Sequence, residues 1–529
     1  MKKTYKTKSI INKITFIGFL GMILFTASCK KYTELNPLAA LSETTAFKDQ
    51  AGIELVMNGV YQQAAIGTYS GSALGSGRGY PFGAASFEQA EMRGEDMVNL
   101  ASFYLITYQS TYTTVSANNV NHWQNLYALI NQINVLIAGV EKSAASGTIT
   151  AALANTYEGE GRFLRALAHH ELLIHFCRPY ADGSGSQAGV PYRDTPVNTP
   201  ALVSAAILVK RGTVAEDYTK ILADLDYAET NLPATQTAGF SRATKGAAIA
   251  LKTRIYLHQG NWAKVITEGA KLGATGTAPY TSPIGSYTLE ASPETPFSSY
   301  TANSESVFSI ANSGTSNPGV NGALANMFGS TTSGGRALVS MSPNLYNASF
   351  WVAGDKRKTL LLQEGPDGLY YSYKYRVPGT SADWAPTIRY AEVLLNVAEA
   401  AQRSGQATLA FDLLNAVRNR SVPAASQYTS APADLLLAIL NERRVEFAAE
   451  GRRWPDLHRL ALDATYGKGG IPAKLTAAQA KSANAFNGST QLSPGIPAIA
   501  YSDYRFLWPI PSSETNSNPT LAAEQNPGY

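Results

Sequence analysis

The chain of 529 residues has little cysteine, little charge and only one strongly apolar stretch, and each shortage excludes something. Its two cysteines, Cys29 and Cys177, cannot build a disulfide framework, so a chain of this length must hold itself together with a packed core. Charged residues are only 16% of the total and the formal net charge is +4, too small a surplus to drive binding to a phosphate backbone. Nucleic acid is therefore not an expected partner. What abounds instead is Gly, Ser, Thr, Asn and Tyr, a mixture that suits long ordered loops outside a cell.

The apolar stretch lies at the start. Lys2, Lys3, Lys6, Lys8 and Lys13, with no acid among them, precede a run from Ile14 to Phe25 and then Thr26-Ala27-Ser28-Cys29. That order reads as a signal peptide. Crossing a hydrocarbon core of roughly 30 Å takes about 20 helical residues, and this run has 12, so residues 1–28 are expected to be cleaved. Small residues before a cysteine resemble the lipobox of bacterial lipoproteins, which makes Cys29 the expected lipid anchor. The pattern's leucine, three residues before the cysteine, is Thr26 here. Each buried methylene contributes about 0.8 kcal/mol, so the several acyl chains of a lipoprotein hold durably where one does not. Loss of residues 1–28 removes five lysines and no acid, taking the formal charge from +4 to −1. Residues 29–41 then form a tether.

Helical periodicity follows in blocks separated by turn-rich stretches. The spacing predicts helices over Ser42–Ala65, with Ser42 as cap, and over Asn119–Val140, where Trp123, Tyr127, Ile130, Ile133, Asn134 and Ile137 share a face. Further helices are predicted at Ala151–Phe176, Val214–Thr230 and Lys245–His258, with a short one ending at Lys271. After Trp384 they return at Ile388–Ser404, Gln406–Arg420 and Asp434–Glu450. The fold class is mainly α: irregular, tetratricopeptide-like helical pairs forming a scaffold, with long loop-rich insertions and little β structure. Strict repetition at about 34 residues is absent, which excludes a regular solenoid.

Two regions break the period. Within residues 67–116, one stretch is rich in glycine and carries Tyr69, Arg78, Tyr80 and Phe82, and a second offers Phe103, Tyr104, Tyr108 and Tyr112 among threonines. Residues 274–380 fill with Gly, Ser, Thr, Pro and aromatics, and loops of such length are functional or disordered. Aromatic content argues for function.

The C-terminal third carries three strings: "IRYAEVLLNVAEA" from Ile388, "ILNERRVEFAAEGRRWPDLHRL" from Ile439, and the closing "LWPIPSSETNSNPTLAAEQNPGY". In this order they resemble the signatures of the SusD/RagB family, nutrient-binding lipoproteins of the bacterial outer membrane. The resemblance divides the chain into a SusD-like helical region at 42–273, a ligand-binding loop region at 274–380 and a signature region at 381–529. It implies a non-catalytic, lipid-anchored protein of the outer membrane, facing the exterior, that binds an oligosaccharide or polysaccharide. The ligand would pass to a TonB-dependent, SusC-like transporter on which the protein sits as a lid. By region it points to Asp96, Tyr104, Tyr108 and Tyr112, and then to Phe297, Tyr300 and Phe328, as ligand-binding residues. Many family members use tryptophan as the platform, and neither loop region contains one over the expected positions. A peptide-binding lid of the same kind of transporter is the alternative.

Enzyme motifs find little footing in the residues. His170 and His175 in "HELLIH" are five apart, where a zinc-binding helix needs four, and five residues turn the second ring about 140° from the first. No metal or other cofactor is expected. Glu88, Glu91, Glu95 and Asp96 cluster as glycosidase acids do, so an outer-membrane glycoside hydrolase is a further alternative, although nothing pairs an acid with a base at the required 5–9.5 Å or so. The glycines at 71, 75, 77 and 79 do not link a strand to a helix, as a dinucleotide loop must. The carboxylates and arginines of the signatures, Glu392, Glu399, Glu442, Glu446 and Glu450 with Arg443, Arg444, Arg452 and Arg453, are expected to form a structural ion-pair mesh. The tail with Pro509, Pro511, Pro519 and Pro527 is expected to run over the surface as non-helical chain.

Overall fold

A computed structural model describes residues 43–68 and 77–529. The signal, the Cys29 anchor, the whole 29–41 tether and Ser42 lie outside the described residues. The first long helix, α1 (Gln50–Ala65), is capped by Asp49, whose side chain accepts from Gly52 N. After α2 (Ala84–Met92) come α3 (Ala117–Ala145) and α4 (Ala151–Phe176), packed on one another across a short turn. Leu129, Ile130, Ile133, Leu136 and Val140 of α3 are fully buried, at the spacing of one helical stripe. Thr150 caps α4, and a reciprocal box between Thr213 and Glu216 starts α5 (Val214–Asn231). Thr244 caps α6 (Lys245–His258) and Asn261 caps α7 (Trp262–Lys271). Such a cap contributes about 1 kcal/mol by satisfying a backbone N–H that has no partner within the helix. Ion pairs tie the pairs together: Arg165 on α4 reaches Asp224 on α5 at 2.7 Å and Asn134 on α3 at 2.8 Å.

Residues 274–380 are not one long loop. They contain short helices and strands that pair over long sequence distances. Strand β1 (Met97–Asn99) pairs antiparallel with β3 (Val339–Met341), and β2 (Ser306–Ile310) with β6 (Ala385–Arg389). A third ladder joins β4 (Leu362–Glu364) to β5 (Tyr370–Ser372). The C-terminal helices follow as α8 (Tyr390–Arg403), α9 (Ala407–Arg418), α10 (Leu435–Glu446) and α11 (Arg453–Arg459).

Between them lies a buried ion-pair mesh with other cations than expected: the signature glutamates meet Arg254, Arg357, Arg389, Arg420 and Arg459, while Arg443 holds Asp456, and Arg444 and Arg453 hold Asp96 and Glu95. Arg389 meets Glu305, Glu446 and Glu450 at 2.5, 2.9 and 2.8 Å, while Arg357 holds Asp355, Glu442 and Glu446. Burial alone would raise the Glu446 carboxyl, but Arg420, Arg389 and Arg357 hold it well below the usual carboxylate range. The tail departs from expectation. Trp508 and Ile510 are fully buried, Trp508 N donates to His175 O at 3.0 Å, and Asn526 donates to Phe176 O at 2.8 Å. An indole of this size contributes more under the α4 helix end than on the surface, so the tail threads into the core.

Candidate functional site: a loop-built aromatic face

Six of the seven expected ligand residues are core or ion-paired residues. Tyr104, Tyr108 and Tyr112 are 3%, 1% and 3% exposed. The Tyr108 hydroxyl donates to Leu475 O at 2.7 Å, and that of Tyr112 donates to Arg505 O. Asp96 is clamped by Arg444 at 2.5 Å and Arg453 at 3.2 Å. Phe297 and Phe328 are buried against Tyr375. Only Tyr300 is partly exposed. The physical reason for Tyr108 and Tyr112 is pairing with distant chain: Leu475 and Arg505 accept from their hydroxyls.

The acids suspected of hydrolysis are also inside. Burial would raise Glu95, but Arg453 and Arg444 bring it down to about 2. Burial and then the neighbouring Asp96 push Glu91 up to about 8, and Glu91 accepts from Gly451 N at 2.8 Å. Glu88 is wholly buried, which drives its carboxyl well above the usual range. His170 and His175 look toward different neighbours, His258 and His122, each at 4.7 Å between ring centres. His122, Glu171 and His175 bring ligand-type atoms within 4.8 Å of one another. Arg93 stands 3.5 Å from His175 Nδ1, and a buried guanidinium there opposes a second cation.

The two loop regions do meet. The β1–β3 ladder continues with Leu100 N donating to Leu338 O at 2.9 Å, and Ala84 N reaches Gly322 O at 3.3 Å. Gly322 lies so close to the backbone of Arg78 and Gly79 that an added Cβ would stand 2.6 Å from Gly79 N, so only glycine fits. This junction sets the half-exposed Phe103 ring beside two guanidinium groups, Arg336 at 4.8 Å and Arg78 at 5.2 Å from its centre. Leu105, Ile106 and Val320 are exposed. Arg336 Nη1 donates to Val320 O and Asn321 Oδ1 at 3.2 and 2.7 Å.

The same loop extends to a second aromatic group. Asn317 donates to Thr380 O at 3.2 Å, and Asn312 O accepts from Trp384 Nε1 at 2.9 Å. Trp384 is partly exposed, with Phe240 edge-on at 5.5 Å and Tyr300 tilted at 6.4 Å. Beside Phe240 a cavity of about 220 Å³ is lined by Gln236, Thr244, Tyr287, Asn303 and Ser304. A separate cavity of about 250 Å³ lies over Trp123 and Tyr127. There Tyr127, Asn131 and Asn134 spend polar atoms holding residues 191–197, and Val203, Ile207 and Leu521 line the space together with Arg193 and Glu514.

Sequence reasoning missed Trp384 and Phe240. Trp384 sits just past the loop region, shortly before the "IRYAEVLL" string, and a lone indole directly after Ser381-Ala382-Asp383 was the available signal. Phe240 stands in a single short turn and gave none.

Rigid helical pairs carrying a loop-built aromatic face define the class: an α-helical scaffold protein whose surface chemistry resides in its insertions. A family model described as "SusD family" matches residues 305–529, and one described as "Starch-binding associating with outer membrane" matches 49–257. SusD-like protein P2 of Formosa agariphila is 26% identical, over 97% of this chain and 99% of that protein. Among solved structures, a SusD superfamily protein from Bacteroides fragilis superposes with TM-score 0.72 at 25% identity, covering 90% of this chain and 99% of that one. A SusD-like carbohydrate binding protein from Bacteroides vulgatus gives 0.70 at 18%, covering 90% and 98%. The chain belongs to the SusD/RagB family.

Proposed function

We propose that this protein is a non-catalytic cell-surface lipoprotein that binds an oligosaccharide or polysaccharide on the aromatic face. It then hands the ligand to a TonB-dependent, SusC-like transporter of the outer membrane. The observation that carries the proposal is the set of partly exposed rings, Phe103, Trp384, Tyr300 and Phe240, on loops fixed to a rigid frame. Sugar rings have apolar C–H faces that lie on such surfaces, and by analogy with base stacking each contact contributes about 1–3 kcal/mol. Asn321, Asn303 and the arginines stand beside the rings to hydrogen-bond hydroxyl groups. The family likeness supports the transporter partner and the location, and Cys29 is the proposed anchor.

Affinity electrophoresis of residues 30–529 against plant, fungal and host polysaccharides tests binding, with Phe103→Ala and Trp384→Ala run alongside. Retardation by a glycan class, weakened in either variant and without release of reducing sugar, is expected. No retardation by any glycan would overturn the proposal, and product release would replace it with hydrolysis.

A further inference from the structure

The cavity of about 250 Å³ over α3 is built from three parts of the chain. Its floor is the α3 face that carries Trp123 and Tyr127, whose ring centres lie 4.7 Å apart. One side is the segment 191–207, held to that floor by Tyr127, Asn131 and Asn134. The other is the tail from Pro511 to Leu521, tied down where Gln124 Nε2 donates to Ser513 Oγ at 3.1 Å. Val203 and Ile207 from the first side and Leu521 from the second supply apolar lining.

Two opposite charges line it as well, Arg193 from the 191–207 side and Glu514 from the tail. Arg193 Nη1 donates to Ala206 O at 2.5 Å, but no carboxylate stands within ion-pair distance of the guanidinium among the described residues. Glu514 has no ion-pair partner among them either. Burial raises its carboxyl, and the Arg193 charge and the Trp123 indole oppose that rise, so the two charges sense each other without touching. Elsewhere in the fold such groups close on one another, as Arg165 does with Asp224 at 2.7 Å and Arg254 with Glu392 at 2.6 Å. Kept apart over a hollow, each retains its charge-assisted bonds for a guest.

We propose that this cavity binds a small zwitterion with an apolar body, an α-amino acid or a dipeptide, its carboxylate on Arg193 and its ammonium on Glu514. It is a second ligand site, on the helical scaffold and apart from the aromatic face, and it stands whether or not that face takes a glycan. A hollow of about 150 Å³ is enough for a benzene ring, so the larger space here takes a side chain together with the two charged groups. The side chain lies over Trp123 and Tyr127 and against Val203, Ile207 and Leu521. A guanidinium offers paired N–H donors that match a carboxylate. A purely apolar guest would leave both charges desolvated and unpaired, which is costly. A neutral sugar fits less well, because Asn131 and Asn134 already spend their amides on residues 193–197 and on Arg165.

Isothermal titration calorimetry of residues 30–529 tests this with L-phenylalanine, L-leucine and glycyl-L-phenylalanine. Beside them run N-acetyl-L-phenylalanine, which lacks the ammonium, and L-phenylalaninamide, which lacks the carboxylate. At least one unblocked probe is expected to bind, with both blocked forms weaker by roughly tenfold or more. The blocked probes read the two charges on the parent protein, so the test survives a variant that fails to fold. Arg193→Gln should weaken phenylalanine by about the same factor without further weakening the amide, and Glu514→Gln should do so without further weakening the N-acetyl form. Arg193→Lys keeps the charge and is expected to retain part of the affinity. Binding of phenylalanine or leucine without the dipeptide assigns the site to free amino acids, and the reverse assigns it to dipeptides. No binding of any unblocked probe at millimolar concentration would overturn the proposal. Equal binding of free and blocked forms, or binding indifferent to both variants, would overturn it too.

Discussion

Replacing Arg389 by methionine tests whether the buried ion-pair mesh holds the C-terminal helices in place. The guanidinium is 2% exposed and makes contacts of 2.5–2.9 Å with Glu305, Glu446 and Glu450. Removing one partner of a buried ion pair costs about 3–5 kcal/mol, because the remaining charge stays desolvated. Here Arg420 still faces Glu305 and Glu446, and Lys374 still faces Glu450, so the lower end applies. About 3 kcal/mol, at roughly 1 °C per kcal/mol for a chain of about 500 residues, lowers Tm by about 3 °C. Thermal and urea unfolding followed by helical circular dichroism would measure it. Adding Glu450→Gln takes away the surplus negative charge that Arg389 had balanced, Glu450 being left with Lys374 alone, so the double variant should recover about 1–2 kcal/mol of the loss. A loss below about 1 kcal/mol, or a double variant no more stable than the single one, would refute the claim that Arg389 balances these carboxylates.

All six histidines are buried, and burial pushes His122 down to about 3 from an unfolded value near 6.5. Below pH 6.5 the unfolded chain therefore takes a proton that the fold refuses, and stability falls as pH falls towards 3. His122→Phe should lose about 1.2 kcal/mol less than the parent between pH 7 and 5.5, whereas parallel pH profiles would contradict this. Glu91 acts in the opposite sense, since the fold already holds its proton below about 8, so Glu91→Gln should gain stability most at high pH. Thr213→Ala breaks the capping box of α5 and should cost about 1 kcal/mol by urea titration. Cys29→Ser is expected to abolish incorporation of labelled palmitate and release the protein from the membrane fraction.

Legibility in the sequence followed the range of the interactions. Helices α4 and α6 begin and end where periodicity places them, and α7 ends at Lys271 as expected, because that signal lies within a few residues. The strands left no such mark. Met97–Asn99 and Val339–Met341 are three residues each, buried on both faces, and pair across some 240 positions, so neither shows alternation. Tyr104, Tyr108 and Tyr112 are ligand candidates only by their place in the loop region that the family resemblance points to. The burial of Tyr108 and Tyr112 is decided by Leu475 and Arg505, more than 360 residues further along. The face itself was half visible: Phe103 and Arg78 were noticed in the first loop, but only the β1–β3 ladder brings Arg336 to them.

The threaded tail imposes an order of events. Trp508 fills the space beside His175 at the end of α4, and Asn526 bonds both to Phe176 O and to Trp508 O. Residues that close the core thus come after everything they close, and the N-terminal helices keep an open seam until that segment has been made. For the export that the N-terminal segment is proposed to direct, such a delay is an advantage, because the last stitch cannot be drawn while most of the thread is still passing through.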